Sequence, residues 1–366
     1  MARKPTKSSL AEAVRAHYAG DRRTAQRLYR RLLANEPKNP AALSGLGMLA
    51  LDQHQIESAT RYLRAAIKLD PQNPGYRMNL GAALEAGTDL NGAAASYQCA
   101  INLDPSYRDP YYNLANVHLK MESPDQAITV LEACQAANGR DFHALAYQVH
   151  ALLDAHRDNE AQRLLDHQQL VHRYKFNAVP GYANLGAFNK ALAEHVRNHP
   201  TLKKDAMSTV GGTHTGELLS DTQGPLFHFE PQIHKAIHWY IAQLPDDPSH
   251  PMRRWQPKLW KLTTWGIVMG NGGHERTHIH PNGWLSGVMY LELPDLIEDA
   301  TRDHEGWLRF GQPTPDLAAQ REPTLIDFQP QYGQIILFPS YFYHGTVPFH
   351  SKQRRICVSF DVEPLG

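Results

Sequence analysis

A strict 34-residue period in the first half of the chain limits its fold more than any other feature. A similar short sequence motif contains a proline three times at this interval: Pro37, Pro71 and Pro105. Alanine recurs with the same step at five positions: Ala25, Ala59, Ala93, Ala127 and Ala161. Four residues after each alanine stands a large side chain: Tyr29, Leu63, Tyr97, Leu131 and Leu165. Such a period predicts a row of similar units rather than one closed core.

Pairs of helices account for this pattern. Residues i and i+4 share one helical face, so each alanine admits a neighbouring helix closely while the large residue fills the space beside it. Proline just beyond the second helix of each pair stops that helix. Ser9 and Ser123 each open a capping-box sequence, which predicts that helices start there.

A 34-residue helix–turn–helix repeat resembles the tetratricopeptide repeat family. The resemblance covers residues 9–170 in four to five units, and the last unit is degraded because Gly139 stands where proline is expected. It implies a superhelix whose concave groove holds a peptide or a partner protein. A generic all-α bundle is the alternative, but the in-phase alanines and prolines favour the repeat. We expect residues 1–8 to be disordered.

Composition argues against several classes of function. The 37 Lys and Arg residues balance 37 Asp and Glu residues, so we expect no nucleic-acid partner and no polybasic contact with a membrane. No apolar run reaches 18 residues, and we expect neither a transmembrane span nor a secretory signal. Three widely separated cysteines predict a reducing, cytoplasmic compartment. The sequence does not indicate an oligomeric state.

The second half of the chain changes to a strand pattern. Residues 171–258 are expected to form a helical connector that begins the second domain, with helices at 188–197 and 229–243 around a polar stretch at 208–223. Four later segments have the composition of strands and are separated by Gly and Pro: 262–269, 285–293, 334–338 and 356–362. This density predicts an antiparallel barrel or jelly roll over residues 259–366. The charged residues 295–320 are expected to form a long loop.

A histidine pair precedes the second of these strands. His278 and His280 would lie on one side of an extended segment, because side chains alternate with a period of two. Two histidines at this spacing do not by themselves indicate a metal site, since 21 histidines among 366 residues give about one such pair by chance. The order along the chain says more: a strand follows the pair, a later strand precedes His344, and Arg354 and Arg355 open the final strand.

This order resembles the double-stranded β-helix of iron(II)- and 2-oxoglutarate-dependent dioxygenases. The similarity is closer to the bacterial 2OG-Fe(II) oxygenases that are often fused to tetratricopeptide repeats. Its motifs are the sequence from His278 to Tyr290, Leu337-Phe338-Pro339-Ser340 and residues 355–360, and the connector segments 180–182 and 211–216 are also similar. The resemblance implies an α+β multidomain chain, with an α-solenoid followed by a double-stranded β-helix (jelly-roll) domain.

The resemblance also implies a metal site made of His278, His280 and His344. The wider superfamily holds its metal with two histidines and one carboxylate, and here His280 stands at the carboxylate position. Three neutral ligands leave the site one charge more positive. The alternative is that His280 is not a ligand and that a carboxylate comes from elsewhere, such as Glu275 or the segment 295–305.

The distal carboxylate of 2-oxoglutarate needs a fixed cation, and arginine suits this contact. Alternation places Arg355 and Ser359 on one face of the last strand and Arg354 on the other. The resemblance selects Arg355, with Ser359 beside it and Tyr290 as a phenol donor. The alternatives are a solvated strand-edge charge for Arg355 and ordinary core packing for Tyr290.

Together these features predict an Fe(II)- and 2-oxoglutarate-dependent dioxygenase that hydroxylates a peptide or protein recruited by the repeat array. Two other functions stay open. The first is a metal-binding scaffold without catalysis, which the missing carboxylate supports, and the second is a three-histidine iron dioxygenase that does not use 2-oxoglutarate. We expect His274 to be a pocket or surface residue, and Trp265 and Trp284 to pack in the core.

Overall fold

The structure is a computed structural model that describes residues 7–204, 208–220, 224–299, 301–322 and 324–365. The chain divides into two compact units, residues 1–139 and 140–366. Of the N-terminal segment expected to be disordered, residues 1–6 lie outside the described part, and the first helix begins at Lys7. Among the described residues, no helix combines the length and apolarity needed to cross a membrane.

The first unit is helical, and consecutive helices pack against each other as the period predicts. The described residues of this unit form α1 (Lys7–Tyr18), α2 (Arg22–Asn35), α3 (Pro40–Leu51), α4 (Ile56–Leu69), α5 (Pro74–Ala86), α6 (Leu90–Leu103), α7 (Asp109–Lys120) and α8 (Pro124–Asn138). Helices α2, α4 and α6 each end two residues before one of the three periodic prolines. The predicted role of these prolines as helix stops is confirmed.

Glycine on the first helix of a pair faces the large residue on the second. A Cβ atom at Gly81 would lie 2.5 Å from the ring of Tyr97, and one at Gly47 would lie 2.7 Å from the side chain of Leu63. The periodic alanines of α2, α4, α6 and α8 are fully buried. The close approach of these two helix pairs therefore depends on glycine as well as on the alanine that the period makes visible.

The predicted helix starts are only partly correct. Pro124 opens α8 directly after Ser123, but the Ser123 hydroxyl donates to the carbonyl of Met121 instead of accepting from the helix. Helix α1 begins before Ser9, so this residue is not its first cap. Aspartate or asparagine caps several other helices, as Asn73 does by accepting from two amides of α5.

A single methyl group at Gly81 tests this packing. Gly81→Ala gains up to about 1 kcal/mol of helix propensity, but its Cβ overlaps the Tyr97 ring. We expect a net loss of about 1–3 kcal/mol in the free energy of unfolding, the usual cost of overpacking. Chemical denaturation followed by circular dichroism measures this change. A variant more stable than the parent would contradict the close contact.

The second unit combines helices with two sheets. Its described helices are α9 (Phe142–Asp154), α10 (Asp158–Leu164), α11 (His167–Leu170), α12 (Leu185–Arg197), α13 (Pro225–Gln243) and α14 (Pro251–Arg254). Helices α9 and α10 are the fifth pair of the period, and they pack within this unit. The Tyr341 hydroxyl donates to the carbonyl of Leu164 at 2.6 Å, and Asp154 accepts from the backbone amides of Gln320 and Arg321. That the repeat array extends over residues 9–170 stays a prediction.

Both sheets are antiparallel, as the strand pattern predicts. The described strands are β1 (His172–Lys175), β2 (Thr209–His214), β3 (Trp260–Glu275), β4 (Leu285–Glu292), β5 (Leu308–Phe310), β6 (Ile326–Phe328), β7 (Gln334–Pro339), β8 (His344–Thr346) and β9 (Arg355–Pro364). The larger sheet has the order β1-β7-β4-β9-β3-β2, and the smaller one β6-β5-β8. Helix α12 packs against β3, β4 and β9. The α+β multidomain fold class is confirmed.

Two segments of the second unit differ from the prediction. The expected loop at 295–320 contains a short 3-10 helix, Asp295–Glu298, and β5, whose Leu308 and Phe310 are buried. A three-residue strand is too short to show a period in sequence. The polar stretch at 208–223 contains β2, an edge strand that pairs with β3 through a bulge between Val210 and Gly212. Its residues 221–223 lie outside the described part.

Two histidines outside the histidine pair are buried among aromatic rings of the second unit. The rings of His150 and Tyr343 are 5.3 Å apart, and those of His167 and Phe342 are 4.9 Å apart. Burial disfavours the imidazolium and lowers the pKa of each histidine to about 4. The folded protein therefore holds both rings neutral at pH values where the unfolded chain is protonated.

Acid should destabilise this unit through the two rings. Between pH 6.5 and 4 the unfolded state binds protons that the folded state does not, so stability falls as the pH falls, by about 2 kcal/mol per ring at pH 5. We expect His150→Gln to reduce the loss of unfolding free energy between pH 7.5 and pH 5 by this amount. Denaturant titrations at both pH values measure it. His238→Gln, which removes an exposed imidazole of the same unit, is the comparison, and an equal effect of both variants would contradict the assignment.

Candidate functional site

A short backbone bridge brings the first and last histidines of the predicted set together. His278 lies in the extended segment between β3 and β4, and His344 is the first residue of β8. Each donates its backbone N–H to the carbonyl of the other at 3.0 Å. This antiparallel bridge joins residues far apart in sequence and points both side chains into the same cavity.

The three predicted histidines form one cluster. The ring centroid of His278 lies 4.4 Å from that of His344 and 4.9 Å from that of His280, and one nitrogen of each ring lies within 4.8 Å of the other two. His278 Nδ1 bonds to the carbonyl of Arg276, and His344 Nδ1 to that of Phe342. Because these nitrogens are occupied, Nε2 of each ring is left to bind a ligand.

His280 differs from the other two because a carboxylate holds it. Its Nδ1 lies 2.8 Å from Oδ2 of Asp361. The other carboxylate oxygen, Oδ1, accepts from the hydroxyl of Ser286 at 2.6 Å. Since Ser286 donates there, Ser340 must donate to Ser286 across their 2.8 Å contact. Asp361 is only 8% exposed, so this network fixes it in place.

Burial and this carboxylate shift the three imidazoles in different directions. Burial lowers the pKa of His278 to about 4, with a further contribution from His280, and it holds the pKa of His344 well below the usual range. Burial disfavours the charged form of His280, but the charge and hydrogen bond of Asp361, together with the charge of Glu275, outweigh it and raise the pKa. At neutral pH, His278 and His344 are thus in the neutral form that binds metals.

The cluster opens into a cavity of about 260 Å³. Apolar side chains form much of its wall, including Ile267, Val288, Leu308 and Phe338. The predicted residues Tyr290, Arg355 and Ser359 also line it. A small, mostly apolar cavity with a few convergent polar groups is typical of a site for a small ligand.

Arg355 is a buried cation in this cavity and is only 2% exposed. Its guanidinium lies over the ring of Tyr290, with 4.9 Å between Cζ and the ring centroid. Its Nη1 donates to two sulfur atoms, Met269 Sδ at 3.6 Å and Cys357 Sγ at 3.8 Å. Within the described part of the chain no carboxylate pairs with it, and its Nε has no hydrogen-bond partner.

The phenol of Tyr290 is equally isolated. Its hydroxyl is buried without a hydrogen-bond partner among the described residues. Burial raises the pKa of Tyr290 to about 12 despite the neighbouring charge of Arg355, so the phenol stays protonated and can donate. Unpaired polar groups of this kind are costly unless a ligand completes them.

Glu275 lines the same cavity but does not join the histidine cluster. It accepts a hydrogen bond from Thr209, and its Oε1 lies 3.9 Å from Nε2 of His214. Of the other predicted neighbours, Trp284 is fully buried as expected, with its indole N–H donating to the carbonyl of Met252. The core assignment of Trp265 is wrong, because its ring stacks on His280 at 5.5 Å and faces the cavity.

Sequence reasoning missed two features of this cavity, Asp361 and His214. Asp361 lies six residues after Arg355 on β9, and the alternation that groups Arg355 with Ser359 also includes it. This signal was available in the sequence. His214 is the last residue of β2, in the polar stretch of the expected helical connector, so nothing in its local pattern indicated a position in the cavity. His274 does not line the cavity and bonds to the carbonyl of Gly272.

Known families match two separate parts of the chain, the N-terminal helical part and the C-terminal part that contains the cavity. Models of the tetratricopeptide repeat match residues 16–84, 89–122 and 109–141. A model described as "Putative 2OG-Fe(II) oxygenase" matches residues 263–361, which include every residue of the histidine cluster as well as Arg355 and Asp361. No curated protein matches the chain significantly.

Solved structures resemble parts of the chain. The crystal structure of MamA protein is 24% identical, with a TM-score of 0.39, and the match covers 44% of this chain and 91% of that one. A Pseudomonas putida prolyl-4-hydroxylase is 15% identical, with a TM-score of 0.38, covering 56% and 99%. YrrB, a TPR protein with an unusual peptide-binding site, is 15% identical, with a TM-score of 0.38, covering 44% and 84%.

The repeat models and the oxygenase model match separate segments that account for the two kinds of structure described above. Segments within residues 16–141 therefore match the tetratricopeptide repeat, and residues 263–361 match the 2OG-Fe(II) oxygenase family.

Proposed function

We propose that this protein is an Fe(II)- and 2-oxoglutarate-dependent dioxygenase that hydroxylates a peptide or protein substrate. The observation that carries the proposal is the pairing, in one small cavity, of three convergent imidazoles with a buried arginine that has no carboxylate partner among the described residues. The first group suits a metal ion and the second suits an organic anion. A cavity that offers both matches a metal-chelating oxoacid.

The donor set fits iron(II). In the proposed site His278, His280 and His344 hold the metal through Nε2, and imidazole is a suitable ligand for iron in this oxidation state. The bonds from the three Nδ1 atoms keep each ring in the tautomer that leaves Nε2 free. When bound, iron(II) with 2-oxoglutarate and dioxygen supplies C–H hydroxylation, with one oxygen atom entering the product and the other entering succinate as CO₂ is released.

The chain's own residues would bind and orient the oxoacid. Arg355 would form charge-assisted hydrogen bonds with the distal carboxylate, and the protonated phenol of Tyr290 would donate to it, with Ser359 beside them. The apolar wall excludes water, which strengthens these contacts. The unsatisfied Nε of Arg355 and hydroxyl of Tyr290 would gain partners in this way.

The repeat array supports a peptide or protein as the second substrate. Stacked helix pairs present an extended concave surface, which is suited to a chain segment rather than to a small molecule. Binding at such a surface raises the local concentration of a tethered substrate at a second site of the same chain.

The replacement of the superfamily's carboxylate by His280 favours a second candidate. A three-histidine set could belong to a metal-binding scaffold, or to an iron dioxygenase that does not use 2-oxoglutarate. The scaffold would bind metal without turnover. The iron dioxygenase that does not use 2-oxoglutarate would consume dioxygen, and Arg355 would have no role in binding an oxoacid.

Substitution of Arg355 separates these functions. We expect Arg355→Gln to weaken 2-oxoglutarate binding to the metal-loaded protein by roughly 10- to 100-fold, because a hydrogen-bonded charge pair is lost. Isothermal titration calorimetry without oxygen measures the affinity. Arg354 is the matched control, since it is adjacent but exposed, and Arg354→Gln should bind as the parent does. Equal affinity in all three proteins would exclude the proposed role of Arg355.

Turnover of the cosubstrate tests the metal site directly. The parent protein with added Fe(II) in air should convert 2-oxoglutarate to succinate, and His278→Ala should lose both iron binding and succinate formation because one ligand is removed. His274→Ala serves as control, because His274 lies outside the cavity. Succinate assays and iron analysis are the measurements. Iron bound by the parent without any succinate, even with candidate peptides present, would favour the scaffold.

A further inference from the structure

Asp361 occupies an unusual position beside the proposed metal site. Alternation along β9 turns Arg355, Ser359 and Asp361 into the same cavity. The strand thus carries a cation near one end and a carboxylate near the other. The cation has no acidic partner in the described chain, whereas the carboxylate is bonded on both oxygens, to His280 and to Ser286.

The three imidazoles are not held equivalently. His278 and His344 donate from Nδ1 to backbone carbonyls, which are neutral acceptors. His280 alone donates to a carboxylate, and His280 is the residue that stands where the wider superfamily has its carboxylate ligand. The ligand position itself therefore has no negative charge, but Asp361, which is hydrogen-bonded to His280, carries one beside it.

We propose that Asp361 is a positioning residue of the metal centre: through Nδ1 it fixes the ring orientation and tautomer of His280, and it supplies the negative charge that a three-imidazole ligand set lacks. This inference rests on the proposed function. A divalent ion with three neutral ligands has a net charge of 2+, and Asp361 reduces it to 1+. Two histidines and one carboxylate give the same sum.

The hydroxyls of Ser286 and Ser340 hold Asp361 in this role. Ser340 donates to Ser286, which donates to Oδ1 of Asp361, so that Oδ2 is directed at His280. Ser286 and Asp361 are also directly opposite each other in the pairing of β4 with β9. The network is buried, and a carboxylate without these donors and without His280 would be costly there.

Titration of metal-free protein with Co(II) tests the inference without relying on activity. We expect Asp361→Asn to weaken Co(II) binding by about 10- to 100-fold, the usual effect of losing a residue that orients a metal-binding histidine, and to shift the visible absorption of the bound Co(II). The matched control is Asp327→Asn. Asp327 also lies 2.8 Å from a histidine Nδ1, that of His304, but outside the cavity, so this variant should bind Co(II) as the parent does.

A second variant keeps the test decisive if Asp361→Asn does not fold. Ser286→Ala leaves the carboxylate in place but removes its donor, and we expect about fivefold weaker Co(II) binding, corresponding to the loss of one hydrogen bond. Parent-like affinity and spectrum in either folded variant would overturn the role of Asp361.

A double substitution tests whether the charge itself is what matters. His280→Asp alone places two carboxylates in contact, which disfavours the ionised form of both, and should bind Co(II) poorly. Adding Asp361→Asn leaves one carboxylate, now in the ligand position, and should improve Co(II) binding relative to His280→Asp alone. Independent, multiplicative effects of the two substitutions would contradict the inference, because residues in one network are expected to couple.

These outcomes are distinguishable from failure of the proposed function. If the parent binds no Co(II), or if His278→Ala binds it as tightly as the parent, the three-histidine site itself is wrong and the role of Asp361 falls with it. If the parent binds Co(II) at the histidines and Asp361→Asn binds equally well, the proposed function stands and only this inference fails.

Discussion

The candidate site depends on the two backbone hydrogen bonds between His278 and His344. Each is 3.0 Å long, and together they connect the segment after β3 to the first residue of β8. Without this bridge, His278 would lie in a connection between two strands of the larger sheet, and His344 in a strand of the smaller sheet. With it, two ring centroids are 4.4 Å apart, and His280, two residues along the same extended segment, has only to turn its ring inwards. Backbone pairing therefore sets the geometry of the cluster, and side-chain bonds from Nδ1 refine it.

Two charged residues of the cavity lie on one strand and differ in their surroundings. Arg355 and Asp361 both belong to β9. The arginine is buried without an acidic partner among the described residues, whereas both carboxylate oxygens of the aspartate have hydrogen-bond partners. A buried charge without a partner costs much more than a paired one. The arginine end of the cavity is thus the end that would gain most from an anionic ligand, and the aspartate end is already occupied by its own protein partners. This asymmetry gives a ligand with one free carboxylate a preferred direction.

The sequence predicted the parts of the fold that repeat or that are long. The 34-residue period located the helix pairs because the same packing demand recurs, and the long strands β3, β4, β7 and β9 showed their composition over many residues. The sequence did not reveal the three-residue strands β5, β6 and β8, since so few residues cannot display a period. The contact of Gly81 with Tyr97 was also missed. The sequence pattern indicates which face of a helix is buried, but it does not indicate which residue of the neighbouring helix that face contacts.

The same distinction applies to the residues of the site. His278, His280, His344 and Arg355 could be selected because they lie in motifs with a fixed order along the chain. Asp361 could be placed on the correct face of β9 by alternation, but its partner is set by the register of β4 against β9, which brings Ser286 opposite it. Register depends on how whole strands pair and is not written in the local sequence.

This register bears on the choice between an enzyme and a scaffold. The scaffold interpretation draws its support from the absence of a carboxylate among the three candidate ligands. A carboxylate bonded to His280 weakens that support, because it returns the missing negative charge to the immediate surroundings of the cluster while leaving the imidazole in place. The two arrangements still differ in the position of the carboxylate. The effect of Asp361 on the centre would pass through the His280 ring and would depend on where the Nδ1 proton lies. The effect of a directly bound carboxylate would not depend on that proton. The reactivity of the centre would then depend on the Ser340–Ser286–Asp361 network as much as on the ligands themselves.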